Sequence, residues 1–179
     1  FLLWFFVADG SRAGGVQSDL RIAIKKAFKE AGIEIPYNQY DIHLRDLDGR
    51  RVTSAALKGR PTLVNFYFAK CVPCILEVGP LNRFAASRPD MNFLAVTFDE
   101  PDEARAFVQR FGFKWRVVPD ARDFLDRMRV KNYPLVALFD AQGRLLGTKR
   151  GGARDELEAA AVLPQLERWV EHLERGEAP

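Results

Sequence analysis

Residues 62–74 read Thr-Leu-Val-Asn-Phe-Tyr-Phe-Ala-Lys-Cys-Val-Pro-Cys. Leu63 to Phe68 is an almost unbroken apolar and aromatic run of strand length, which suits a strand buried on both faces. Cys71 and Cys74 follow at once. Behind them Ile75, Leu76, Val78, Leu81, Phe84 and Ala85 recur at roughly helical spacing. The cysteines therefore sit where a buried strand turns into a helix. A helix N-terminus carries partial positive charge and unpaired amide donors. Both favour a thiolate over a thiol, so the cysteine facing them becomes a nucleophile near neutral pH. Cys71, the outer one, is read as that nucleophile, and Cys74, a turn further in, as the resolving thiol.

A Cys-x-x-Cys pair admits three readings. A redox pair needs a strand-to-helix context, and this one has it. Half a zinc site needs two further ligands, and the only histidines, His43 and His172, stand toward opposite ends of the chain. Inert packed thiols would make the spacing a coincidence. The context favours redox chemistry. Pro73 removes an amide and stiffens the loop between the cysteines. Lys70, just before Cys71, either supports a thiolate or is plain solvation at the mouth of the site.

The 179 residues suffice for one domain with a sizeable core plus a small appendage. A net charge of +3, with no basic stripe, does not argue for a nucleic-acid partner. With two cysteines only, no disulfide framework exists beyond that pair, and the pair alone does not fix the compartment. The apolar opening Phe1–Ala8 is too short to span a bilayer, which needs ~20 residues, and lacks the basic lead and cleavage site of a secretory signal. There is no initiator Met. The chain reads as a fragment or processed form, with membrane attachment available through missing upstream sequence.

Along the chain, residues 1–8 read as a strand. Ser18 caps a helix with an apolar face at Leu20, Ile24, Ala27, Phe28 and Ala31, stopped by Gly32. Gln39–Leu44 reads as a strand, and Asp48-Gly49 as a hairpin turn into Arg51–Thr53. After the redox helix come a strand at Met91–Phe98, a helix opened by Asp99-Glu100-Pro101 and ended by Gly112, and an extended piece at Trp115–Val118. Asp120 is expected to cap a helical turn through Met128. Strands follow at Leu135–Asp140 and Leu145–Lys149. Gly151-Gly152 breaks the chain before a last helix, where Val162, Leu166, Trp169 and Leu173 share a face. Pro164 is expected to split that helix or to start its second half.

From about Leu44 to Gly152 the chain, with "LRDLDGRRVTSAALKGRPTLVNFYFAKCVPC", resembles TlpA-like thiol-disulfide oxidoreductases of the thioredoxin superfamily. The resemblance implies an α/β, thioredoxin-like fold over about residues 45–175: a central mixed sheet flanked by helices. It implies a cis peptide at Pro134, exposing a backbone edge to the substrate. Tyr133, Pro134, Val72 and Pro73 would then form the substrate-facing surface. The Phe66, Tyr67 and Phe68 cluster itself reads as core, with Tyr67 and Phe68 also able to help line the apolar rim around the site. It also implies an acid at Glu77, one turn after Cys74, where a raised pKa lets it shuttle the resolving thiol's proton. Asn65 stands where thioredoxins carry a buried acid. Lys70 replaces the usual Trp, Leu135 replaces a common Thr, and Gly79-Pro80 places the helix proline one residue late. No cofactor is needed, because two thiols carry the electrons. The implied partners are cysteine-containing protein substrates and an upstream thiol-disulfide electron donor. A peroxide-reducing redoxin is a further reading, though such chemistry usually separates its cysteines or uses one with a supporting Thr and Arg.

The opening stretch "SDLRIAIKKAFKEAGIEIPYNQYDIHL" resembles something else, the last α/β segment of the cytoplasmic domain of small-conductance mechanosensitive channels. That implies a β-α-β appendage over residues 1–44. The alternative function is then a fragment of a channel-related membrane protein with a fused redox domain. Asn38 departs from that family's usual proline. The two resemblances imply different compartments: the periplasm or cell envelope for the redox domain, the cytoplasmic face of the inner membrane for the channel segment.

Overall fold

The computed structural model describes residues 44–176. The channel-like opening, with its expected strand and helix, lies outside the described residues apart from Leu44. Asp48-Gly49 does turn the chain: β1 (Leu44–Arg45) pairs antiparallel with β2 (Arg51–Val52). The turn is held by Asp46, whose Oδ1 accepts from the amides of Asp48 at 3.0 Å and Arg50 at 2.8 Å. A short helix not anticipated from sequence, α1 (Ser54–Leu57), follows, capped by Thr53 Oγ1 accepting from the Ala56 amide.

The apolar run becomes β3 (Thr62–Phe66), buried at all five positions. Then come α2 (Val72–Ser87), β4 (Asn92–Val96), α3 (Pro101–Phe111), β5 (Arg116–Val118), α4 (Arg122–Arg127), β6 (Leu135–Phe139), β7 (Leu145–Arg150) and α5 (Glu156–Glu174). The main sheet has the order β5-β4-β3-β6-β7. Strands β3, β4 and β5 are parallel; β6 runs antiparallel to β3, and β7 to β6. This is a central mixed sheet flanked by helices, the thioredoxin-like arrangement.

Strand period 2 divides the core. Leu63, with Tyr67 just beyond the strand, packs with Leu81 and Phe84 of α2 and with Leu166, Val170 and Leu173 of α5. Val64 and Phe66 join Leu94, Val96, Val118 and Leu125 on the opposite face. Full burial of such a side chain contributes about 1.5–3 kcal/mol, so β3 is anchored on both sides. Gly147 of β7 brings α5 close: a Cβ there would stand 2.9 Å from Leu173 Cδ1.

Helix α3 starts at Pro101 and ends at Gly112, whose φ of 65° is the left-handed conformation that terminates helices. Two expectations fail. Asp120 does not cap α4: the N-cap is Ala121, with no side-chain hydrogen bond. Asp120 instead has φ 50° and donates its amide to the Asp99 carbonyl. Nor does Pro164 split the last helix. Helix α5 runs through it, because Ala159 before it and Leu166, Val170 and Leu173 after it are buried on one continuous face. Packing thus outweighs the missing hydrogen bond.

Candidate functional site

The site lies at the C-terminal end of β3. Cys71 is the N-cap residue of α2, and its Sγ accepts the Cys74 amide at 3.2 Å. The Cys71 amide donates to the Phe68 carbonyl, which folds the approach to the helix. The two sulfurs are joined in a disulfide. Cys71 is 4% exposed and Cys74 3%, so both residues are buried. Between them Val72 is 63% exposed and Pro73 half-buried. Pro73 occupies the first turn, where a missing amide costs the helix nothing.

The Tyr133–Pro134 bond is cis. The β3–β6 register places Leu135 opposite Phe66, so the start of β6 meets the end of β3. Pro134 is thereby delivered to the same sheet end as the cysteines. Aromatic contacts tie the two loops. The Tyr133 ring meets Phe68 edge-on at 5.6 Å and Phe98 at 5.7 Å, while Phe68 and Phe98 stack at 5.6 Å. The Arg122 guanidinium sits 4.4 Å from the centre of the Phe98 ring. Burial pushes the Tyr133 hydroxyl pKa up, with Arg122 pulling the other way. Phe68 is half-buried and fits an apolar rim. Tyr67 does not: it is fully buried between Phe107 and Phe113, because it points to the helix-packed face of the sheet. Burial, and then the nearby Asp99 charge, raise its hydroxyl pKa.

Glu77 is 2% exposed on α2. Its Oε1 accepts from the amides of Gly152 at 2.7 Å and Ala153 at 3.3 Å. Burial raises its pKa above the usual carboxylate value; the two amides and the Lys149 charge oppose that rise. Lys70 forms an ion pair with Glu103 at 3.1 Å, its side chain 84% exposed. That cation is therefore engaged with a carboxylate at the surface beside the site. Asn65 is buried in β3, between Ala95 and Val136 of the neighbouring strands. Among the described residues, no group of three or more His, Cys, Asp or Glu side chains is arranged to hold a metal.

Sequence reading missed Asp99. It reads there only as a helix opener, yet its Oδ2 turns back to accept from the Ala69 amide at 2.7 Å and from Thr97 Oγ1 at 2.5 Å. A buried carboxylate therefore holds the turn two residues before Cys71. The sequence carries one signal for it, an acid directly after an otherwise apolar strand. Phe98, Arg122 and the Gly151–Ala153 amides were missed too, because each reaches the site only through tertiary contact.

A vicinal dithiol at a helix start, beside a cis-proline, on a thioredoxin-like sheet, defines a thiol-disulfide oxidoreductase. The comparisons with known proteins narrow the class: the redoxin family model matches residues 23–163, and the chain belongs to that family. The match reaches back into the channel-like segment. The chain is 24% identical over 118 residues to the thiol-disulfide oxidoreductase ResA of Halalkalibacterium halodurans, covering 64% of this chain and 67% of that one. A putative thiol:disulfide interchange protein DsbE from Chlorobium tepidum shares the fold, with a TM-score of 0.65, 21% identity, and coverage of 75% of this chain and 94% of that one. Peroxiredoxin Q of Xanthomonas campestris has a TM-score of 0.60 at 22% identity, covering 76% and 96%. Fold alone thus does not separate disulfide exchange from peroxide reduction.

Proposed function

We propose that this protein reduces disulfides in partner proteins. Reduced Cys71 attacks a partner disulfide and joins one partner sulfur; the other leaves as a thiol. Cys74 then attacks Cys71, the second partner sulfur leaves, and the Cys71–Cys74 disulfide remains. The partner gains two electrons and two protons, and an upstream dithiol donor restores them to the site. The observation that carries this reading is the Cys74 amide aimed at Cys71 Sγ at the start of α2. An amide donor and a helix N-terminus favour the thiolate of the attacking residue. The bound partner segment is read as extended beside Pro134, with Val72 and Pro73 on one side and Tyr133 with its aromatic neighbours on the other. Glu77 takes the proton of Cys74 as it attacks.

The test is a pair of variants. Cys74→Ser is expected to trap a covalent mixed disulfide with a protein substrate, and Cys71→Ser to form none and to lose turnover. Equal residual turnover in both variants refutes this order of roles. A redox titration in glutathione or dithiothreitol buffers fixes the direction: a midpoint near about −270 mV marks a reductant, and one near about −120 mV an oxidant.

A further inference from the structure

A carboxyl on a flexible side chain serves proton transfer only when its position is fixed. The Glu77 carboxyl is fixed from a distant part of the chain. Both Gly152 and Ala153 point their amides at Oε1. Gly151 lies directly under the group: a Cβ there would stand 2.5 Å from Oε1, 2.6 Å from Oε2 and 2.9 Å from Cδ. Real Cβ atoms do not come so close to a carboxyl group. Any side chain at position 151 must therefore displace Glu77 or move the backbone that holds it. Gly151 has an ordinary φ, so space rather than backbone conformation is what requires glycine there.

Glu77 also lines a cavity of about 370 Å³ between the end of β7 and α5. The charged groups around it are Lys149 and Arg150 of β7 and Glu158 of α5, with Gln165 and Leu166 closing the apolar-polar wall. Glu158 is paired with Arg154 at 2.5 Å. Lys149 is the cation whose charge acts on Glu77.

We propose that the Gly151–Ala153 turn is the positioning device for Glu77: Gly151 leaves the space the carboxyl occupies, and the Gly152 and Ala153 amides fix its Oε1 for proton exchange with Cys74. This rests on the reading of Glu77 as the proton acceptor in resolution. In that step the Cys74–Cys71 sulfur bond forms and the bond from Cys71 to the partner sulfur breaks. The electron pair of the broken bond leaves on the partner sulfur, which takes a proton from solvent. The Cys74 proton passes to Glu77 and from there to water in the cavity. Gly151 acts through Glu77 and touches neither sulfur nor partner.

The test measures resolution of a preformed mixed disulfide with a small-protein thiol, in single turnover, from pH 5 to 9. It compares wild type, Glu77→Gln, Gly151→Ala and the double variant, each checked for folding by circular dichroism. Glu77→Gln is expected to slow resolution about 100-fold at pH 6, the lower end of general-base contributions, and to remove the low-pH limb of the profile. Gly151→Ala is expected to slow it about 10- to 100-fold, the effect of a carboxyl displaced by an ångström. In the Glu77→Gln background it should add nothing, because there is no carboxylate left to position. In wild type, the Gly152 amide proton resonance should titrate with the midpoint of the kinetic limb. Gly151→Ala at the wild-type rate and profile overturns the inference. So does an undiminished effect in the Glu77→Gln background, which marks a structural role. A Gly152 amide that does not titrate overturns it as well, and that measurement decides the matter should Gly151→Ala not fold. An unaltered profile in Glu77→Gln instead removes the proton-acceptor reading, and the positioning inference falls with it.

Discussion

Replacing Asp99 by Ala removes the carboxylate that accepts the Ala69 amide, and with it the clamp ahead of Cys71. Asp99 is 6% exposed, and its Oδ2 takes two short hydrogen bonds, 2.7 Å from the Ala69 amide and 2.5 Å from Thr97 Oγ1. A hydrogen bond to a charged group contributes about 1.5–3 kcal/mol net, so the pair is worth about 3–6 kcal/mol. Deleting the carboxylate also relieves its own desolvation, which pulls the loss toward the lower end. The expected cost is about 3 kcal/mol, or about 10 °C in Tm for a domain of this size. Asp99→Asn keeps one carbonyl acceptor and should lose about half as much. The assay is urea and thermal unfolding of the fully oxidised protein, so that the disulfide is constant across variants. Formation of the mixed disulfide should slow in Asp99→Ala, because the turn that presents Cys71 is loosened, whereas its resolution should not. A Tm loss under about 3 °C, with Asn and Ala alike, refutes the clamp.

Three further expectations follow from particular contacts. The pKa of Glu77 is raised in the folded state, mainly by burial, so the folded protein holds the proton longer than the unfolded chain. Its contribution to stability is therefore complete below the ordinary carboxylate pKa and declines as pH rises through the folded value; Glu77→Gln should flatten that decline in denaturant midpoints measured between pH 4 and 8, and a decline of equal slope in the variant contradicts the assignment. Tyr133→Ala removes the ring that spans Phe68 and Phe98. It should lower kcat/KM toward a protein disulfide by about 10-fold or more while leaving exchange with dithiothreitol unchanged; equal loss toward both substrates argues against a partner-binding role. Pro164→Ala restores a backbone amide in the exposed middle of α5. Removing an interior-helix proline gains about 3 kcal/mol, offset by about 1 kcal/mol of unfolded-chain freedom, so Tm should rise; a fall means the helix is shaped to need the proline.

The local chemistry of the chain is legible without coordinates wherever it depends on neighbours in sequence. Leu63–Phe68 is apolar or aromatic except at Asn65, with no alternation, and only a central strand buries both faces. Pro101 and Gly112 bracket α3 because one lacks an amide that a first turn does not need and the other adopts a left-handed ending at no steric cost. Cys71 and Cys74 at the strand-to-helix junction declare a redox pair for the same reason: three residues span one helical turn. The cis bond at Pro134 came from resemblance rather than from physics, since X–Pro bonds are cis in only about 5% of folded cases.

What the sequence misplaced shows where local reasoning stops. Pro164 reads as a helix break, but a continuous buried face on α5 holds the helix through it. Tyr67, read as core with a place on the rim left open, is fully buried while Phe68 beside it is half-buried, because one step along a strand moves a side chain to the other face. Asp99 and the Gly151–Ala153 turn lie 28 and more residues from Cys71 in the chain, and no period or motif connects them to it. Strand, helix and thiol pair were determined by the sequence alone, since propensity, burial pattern and spacing act over a few residues. The clamp on Ala69, the aromatic seat beside Pro134 and the cradle for Glu77 were decided only by the tertiary structure. There the sheet order brings β4, β6 and the end of β7 around β3 and α2, and hydrogen bonds and ring contacts act only at the distances that this packing creates.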